Sequence, residues 1–119
     1  MSDFGKLLTA VITPFDNNGV LNTDTLWRLC KKLVHEKSDG VVLSGTTGES
    51  PNLTKEDRKI IYSTAKDSVG DKAKIIAGTG TYSTKESIEY TKMANDIGVD
   101  GIMIVTPYYS KPSQFGILQ

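Results

Sequence analysis

Asp39-Gly40-Val41-Val42-Leu43 and Asp100-Gly101-Ile102-Met103-Ile104 open on the same dipeptide and continue as unbroken apolar runs. A strand without polar alternation suits a parallel sheet, whose two faces are both covered. Two more runs of this kind stand in the sequence: Leu7-Leu8-Thr9-Ala10-Val11-Ile12, closed by Thr13-Pro14, and Ala73-Lys74-Ile75-Ile76-Ala77. The runs recur at intervals of roughly 30 residues, the size of one strand–helix unit. The fourth run extends through Val105 and is closed by Thr106-Pro107.

Helical patterns fill the intervals. After the turn Asp16-Asn17-Asn18-Gly19, Thr23 and Asp24 open a helix with apolar positions at Leu26, Leu29, Cys30, Leu33 and Val34. Thr54 caps a second helix, with Asp57 as a weaker version of the usual capping-box Glu or Gln. Its inward stripe is Ile60, Ile61, Ala65 and Val69, and Gly70 stops it. Ser83-Thr84-Lys85-Glu86 is a full capping-box pattern for a third helix, with Ile88, Thr91, Ala94 and Ile97 towards the sheet and Gly98 as the stop. Pro112-Ser113-Gln114 reads as the start of a fourth.

Four such units fit either part of a doubly wound sheet or half of a barrel. The first strand ends in Thr13-Pro14-Phe15, not in the glycine-rich phosphate loop that marks a doubly wound nucleotide-binding fold. Polar loops follow the second, third and fourth strands instead, as the C-terminal face of a barrel requires. The fold class is therefore α/β, the N-terminal half of a parallel (β/α)8 TIM barrel. A complete barrel takes about 250 residues, so residues 1–119 are expected to be half of one such domain, with the second half absent from this chain.

Fourteen Lys and Arg balance fourteen Asp and Glu, so no net field favours nucleic acid or an anionic membrane. No apolar run approaches the ~20 residues of a membrane span. The amino terminus lacks the pattern of a signal peptide. Cys30, the single cysteine, cannot form an internal disulfide and lies among leucines at helical spacing, which reads as a buried thiol. A cytoplasmic protein is expected. No Cys/His grouping has metal-ligand spacing, so no metal and no cofactor are expected. His35 near a helix end reads as solvated or capping, and Trp27 as packing. Glu56, Asp57, Arg58, Lys59, Lys85 and Glu86 read as solvated helix faces.

Three loops could carry chemistry. In Gly45-Thr46-Thr47-Gly48-Glu49-Ser50, two glycines allow a tight turn, and backbone N–H groups beside threonine hydroxyls suit a small carboxylate or a phosphate. No lysine follows as a phosphate-binding loop would need. Gly78-Thr79-Gly80-Thr81 is either a close-packed turn or a place left open for a ligand. Thr106-Pro107-Tyr108-Tyr109 carries adjacent tyrosines that point apart, one suited to packing and the other to placing a phenol in a site.

Taken together, Thr13-Pro14-Phe15, Gly45-Thr46-Thr47-Gly48-Glu49-Ser50-Pro51, Ala77-Gly78-Thr79-Gly80, Val105-Thr106-Pro107-Tyr108-Tyr109, Lys111-Pro112 and Gln114-x-Gly116 closely resemble the 4-hydroxy-tetrahydrodipicolinate synthase (dihydrodipicolinate synthase) family. The likeness covers nearly the whole chain in order. Lyases for N-acetylneuraminate and 2-keto-3-deoxy sugar acids share the barrel and parts of these motifs. Thr46-Thr47 with Tyr108-Tyr109 favours the synthase. The resemblance implies that pyruvate forms a Schiff base with a lysine, becomes an enamine and attacks aspartate-4-semialdehyde. Thr47 would hold the pyruvate carboxylate. Thr46 and Tyr109 would belong to a hydroxyl proton relay, Tyr109 reaching into the partner's site across a tight dimer with Tyr108 packed at that interface. The complete protein would be a homo-oligomer, a tetramer built from such dimers.

The resemblance also implies that the Schiff-base lysine, a second relay tyrosine and the arginine that grips the semialdehyde lie in the second half. Lys6, Lys72 and Lys74 precede strands and fall at the wrong end of a barrel, and Lys111 matches an exposed loop position. Family members often bind lysine at the dimer interface through residues matching Ser50, Tyr108, Glu86 and the start of the second helix. Here Lys55 and Arg58 replace the histidines some members carry, and Tyr82 stands where Asn is frequent. Added positive charge disfavours a cationic effector, so weak or absent lysine feedback is expected. A non-catalytic half-barrel that associates with itself is the reading from a different class.

Overall fold

A computed structural model describes residues 3–106, 108 and 113–118. In chain order it holds β1 (Leu8–Ala10), α1 (Thr23–His35), β2 (Gly40–Leu43), a 3-10 turn (Ser50–Asn52), α2 (Lys55–Val69), β3 (Lys74–Gly78), α3 (Thr84–Ile97), β4 (Gly101–Met103) and α4 (Gln114–Leu118). The strands form one sheet in the order β1-β2-β3-β4, and all three pairings are parallel. Consecutive strands are thus neighbours, as a barrel requires, with none of the order reversal of a doubly wound sheet.

The two outer strands are shorter than the apolar runs that encode them. Residues 7–12 give a strand only over Leu8–Ala10, and residues 101–105 only over Gly101–Met103. Each has a partner on one side: β4 ends opposite Gly78, the last residue of β3, and β1 ends opposite Val42, one residue before β2 does. The inner strand β3 begins and ends one residue later than residues 73–77 suggest.

The repeated Asp-Gly dipeptide sets the starts of these strands. Asp39 Oδ2 accepts hydrogen bonds from the backbone N–H groups of Lys6 at 2.7 Å and Leu7 at 2.8 Å. Asp100 Oδ2 accepts one from Ile75 N–H at 2.9 Å. Each aspartate thereby holds the chain entering the neighbouring strand. The Leu7 and Lys6 bonds to Asp39 hold its carboxyl below the usual carboxylate range.

On the helix side of the sheet, Val11, Val41, Leu43, Ile75 and Ala77 pack with Leu26, Cys30, Ile61, Tyr62, Ala65 and Ala94. Cys30 is fully enclosed there, and burial pushes its thiol up to about 11, so it stays protonated as the sequence suggests. The opposite face carries Val42 and Ile76, which are buried, flanked by exposed Leu8, Ile12 and Met103. Beyond β4, Ile104 and Val105 are also exposed. The covering predicted for both faces is therefore met mainly on the helix side, and even there Ile102, in register with Ala77, is 44% exposed.

The helix caps invert two expectations. Asp57 completes its box with Thr54: Asp57 N–H donates to Thr54 Oγ1 at 3.0 Å, and Thr54 N–H donates to Asp57 Oδ2 at 3.1 Å. At Ser83 only half a box forms. Glu86 N–H donates to Ser83 Oγ at 3.3 Å, while Ser83 N–H is taken at 3.0 Å by Thr81 Oγ1 rather than by Glu86. Asn22, one residue before the predicted start, caps α1. Ile88 faces the continuation of β4 but is not covered there. It is 50% exposed and lines a groove with Ile104, Val105 and Ile117. Tyr90 and Ala94 supply the buried face of α3.

Gly78 and Gly80 combine the two readings of their loop. A Cβ on Gly78 would stand 2.5 Å from the Ser44 carbonyl oxygen, and one on Gly80 would stand 2.5 Å from Val105 N. Both glycines are where neighbouring backbones touch, and both also line the cavity beside Thr46, so the loop is closely packed on one side and borders open space on the other. Two outcomes follow from these contacts. Gly78→Ala is expected to lower stability by about 1–3 kcal/mol through overpacking, read from a urea midpoint. Stability from the Asp39 bonds should be present above the ordinary carboxylate pKa and lost as pH falls through the lower folded value. The midpoint gap between the unmodified chain and Asp39→Ala should therefore narrow as pH falls from neutral to below the ordinary carboxylate range, and a constant gap would contradict this account.

Candidate active-site loops at the strand ends

The C-terminal ends of the four parallel strands gather the loops that the sequence singles out. The loop over residues 45–50 leaves β2 through Ser44, whose φ is +58°, and re-enters regular structure through Glu49, whose φ is +60°. Gly48 N–H and Ser50 N–H both donate to the Gly45 carbonyl, at 3.1 and 3.2 Å, and Glu49 N–H donates to the Thr46 carbonyl at 3.0 Å. These three amides are turned into the loop itself. Among the described residues, the amides and hydroxyls of Thr46 and Thr47 donate to no protein group, and both threonines are exposed. A loop expected to present many backbone donors thus presents those of Thr46 and Thr47.

Two buried side chains hold this loop from behind. Thr13, at the end of the first strand run, donates its hydroxyl to the Gly48 carbonyl at 2.6 Å. Arg58 is the larger correction to the sequence reading, which placed it on a solvated face; it is 1% exposed. Its Nη2 donates to the Ser50 carbonyl at 2.9 Å and to Ser50 Oγ at 2.8 Å, and its Nη1 to the Gly78 carbonyl at 2.9 Å. The guanidinium carbon lies 4.3 Å from the centre of the Tyr90 ring, a cation–π distance. Burial, then the charge of Glu86, push the Tyr90 phenol up despite the nearby Arg58.

The sequence-predicted residues separate into two groups around Ser50. Thr46, Ser50 and Tyr108 line a cavity of about 310 Å3 with Ser44, Met103 and Val105. Ser50, Glu86 and Tyr108 line a second, smaller cleft of about 140 Å3 with Arg58, Tyr82 and Tyr90. Ser50 and Tyr108 therefore belong to both. Tyr108 is half-buried and meets Tyr82 edge to face, with ring centres 5.6 Å apart. Thr47 is exposed beside Thr46 but does not line the cavity. Tyr109 and Lys111 lie outside the described residues. Lys74 is the first residue of β3, at the end of the sheet opposite the loops. Lys72 precedes it and Lys6 precedes β1. Among the described residues, no group of three or more His, Cys, Asp or Glu side chains could hold a metal ion, and no helix is long and apolar enough to cross a membrane.

Sequence reasoning missed Thr13 and Arg58 as supports of the loop. Spacing carried a signal for Arg58: with Ile61, Tyr62, Ala65 and Val69 it falls on the buried stripe of α2. Nothing comparable marks Ser44, whose buried Oγ has no hydrogen-bond partner.

Known proteins match this arrangement along its length. The family model described as the dihydrodipicolinate synthetase family matches residues 3–119. The 4-hydroxy-tetrahydrodipicolinate synthase of Desulforudis audaxviator is 51% identical over 117 residues, which are 98% of this chain and 40% of that protein. Dihydrodipicolinate synthase DapA-2 from Bacillus anthracis superposes with a TM-score of 0.94 at 44% identity, covering 98% of this chain and 40% of that one. The enzyme from Cyanidioschyzon merolae, solved with lysine bound, gives 0.93 at 40% identity, covering 97% and 39%. The chain spans about 40% of the length of the curated relatives it matches. Its four strand–helix units are half of a parallel barrel, and the chain belongs to the dihydrodipicolinate synthetase family.

Proposed function

We propose that these residues are the N-terminal part of a synthase that condenses pyruvate with aspartate-4-semialdehyde through a lysine Schiff base, in the route to diaminopimelate and lysine. The observation that carries this reading is the 45–50 loop. It sits at the C-terminal end of a barrel strand and leaves the Thr46 and Thr47 donors unengaged. The identity to 4-hydroxy-tetrahydrodipicolinate synthases supports the choice of reaction.

In this reading the Thr47 hydroxyl and N–H hold the pyruvate carboxylate, placing its carbonyl against the amine. Thr46 passes protons within a chain of hydroxyls that includes Tyr109. Forming a Schiff base expels water, and turning it into an enamine removes a methyl proton, so both steps need a proton carrier at a shielded site. Tyr108 packs where two subunits meet in a homo-oligomer, and the protein works in the cytoplasm. Chemistry needs the amine, which the family pattern places beyond residue 119, so these 119 residues are inactive alone. The exposed apolar face beside Val42 and Ile76 favours a second reading, in which isolated chains associate with themselves.

The cleft shared by Ser50, Glu86 and Tyr108 corresponds to the lysine-binding position of the family. Arg58 already occupies the Ser50 hydroxyl and brings a buried positive charge to the cleft wall. Weak or absent lysine feedback follows, and tight lysine binding by calorimetry on the complete protein would overturn it. Borohydride reduction in the presence of pyruvate, read by intact mass, tests the main reading. The 119-residue chain should gain no adduct, whereas the complete protein should gain one pyruvate on a lysine outside these residues. In the complete protein, Thr46→Val should lower kcat by about 100-fold or more. Thr47→Ala should chiefly raise the pyruvate KM, by about tenfold or more.

A further inference from the structure

We propose that Arg58 is a positioning residue: from the buried side, its guanidinium sets the shape of the loop that presents Thr46 and Thr47. The proposal deepens the reading of that loop as a carboxylate holder and rests on it only for the kinetic part of the test.

Three observations carry it. The guanidinium joins two separate pieces of chain, with Nη2 on the carbonyl and hydroxyl of Ser50 and Nη1 on the carbonyl of Gly78. Ser50 is the end of the hydroxyl loop, and Gly78 is the end of the strand against which that loop packs. No carboxylate lies within ion-pair distance of Arg58 among the described residues, where Asp24–Arg28 is the ion pair formed. Finally, Arg58 Nε is buried without an acceptor among the described residues. A buried cation with an orphaned donor and no counter-ion is a poor device for stability. Its planar fork is instead suited to fixing acceptors at set separations, which an ammonium on a flexible stem does less well.

The loop depends on this fork because its own bonds are short-range. Gly48, Glu49 and Ser50 N–H groups close back onto Gly45 and Thr46, which makes a tight unit but does not orient it relative to the sheet. Thr13 anchors the middle of the unit at Gly48, and Arg58 anchors its end at Ser50. Two anchors at different points of the turn fix its tilt, and with it the direction of the Thr46 and Thr47 donors.

Amide hydrogen exchange on the 119-residue chain tests this with Arg58→Ala and Arg58→Lys. Exchange at Gly48, Glu49 and Ser50 should rise about tenfold or more in Arg58→Ala, with Val41 and Leu43 in β2 unchanged. Added guanidinium ion at low concentration should restore slow exchange, where the same concentration of sodium chloride does not. Arg58→Lys should fall between the two, and it is the decisive variant if Arg58→Ala does not fold. Unchanged loop exchange, an equal rise across the loop and β2, or no rescue by guanidinium would overturn the proposal. In the complete enzyme, Arg58→Lys should raise the pyruvate KM more than it lowers kcat. A loosened loop with an unaltered KM would count against the carboxylate reading while leaving the positioning role standing.

Discussion

The carbonyl of Gly78 is the point on which the two ends of this structure meet. It accepts Arg58 Nη1 at 2.9 Å and the Tyr62 hydroxyl at 3.0 Å, both from α2 and both buried. A carbonyl at the end of a parallel strand has lost its ladder partner and must find donors elsewhere. Here a single helix supplies both. The same Arg58 reaches Ser50, so the end of β3, the body of α2 and the loop after β2 are fixed by one set of bonds. The close approach of Gly78 to Ser44 closes the arrangement from the sheet side.

Most of the fold was legible because parallel strands and their helices leave separate periodic traces. Unbroken apolar runs gave the four strands, and 3.6-residue spacing gave the helices between them. The errors have physical causes. The outer strands are shorter than their apolar runs because apolar content reports burial, whereas a strand needs a partner at each residue. Ile88 has the spacing of a covered position, yet the groove it shares with Ile104 and Ile117 leaves it half exposed. Glu86 looked the better capping partner than Asp57, but Thr81 had already taken the Ser83 amide.

The site was legible as loops and much less so as contacts. Thr46, Thr47 and Tyr108 could be named from their place after strands, and Ser50 through the family pattern. Glu86 could be named only through the family pattern. What the sequence did not disclose is which groups stand behind them. A charged residue in a helix is read as solvated by default, and that default hid Arg58 although it lies on the stripe of Ile61 and Ala65. Cys30, by contrast, was read correctly, because an isolated small apolar residue among leucines has one inexpensive place to go.

The one-sided burial of the sheet also bears on how such a barrel is made. In a relative of which these residues are 40%, a ribosome has roughly 170 residues still to add when this segment is finished, at about 5–20 residues per second. For some tens of seconds at most, the nascent chain carries two unpaired strand edges and the apolar surface around Ile12 and Met103, 56% and 44% exposed. The helix side, with its Asp39 and Asp100 pins and its caps, holds its contacts locally and can form during that interval. The barrel interior must wait, so synthesis of the remaining strands is what shields this surface from other chains.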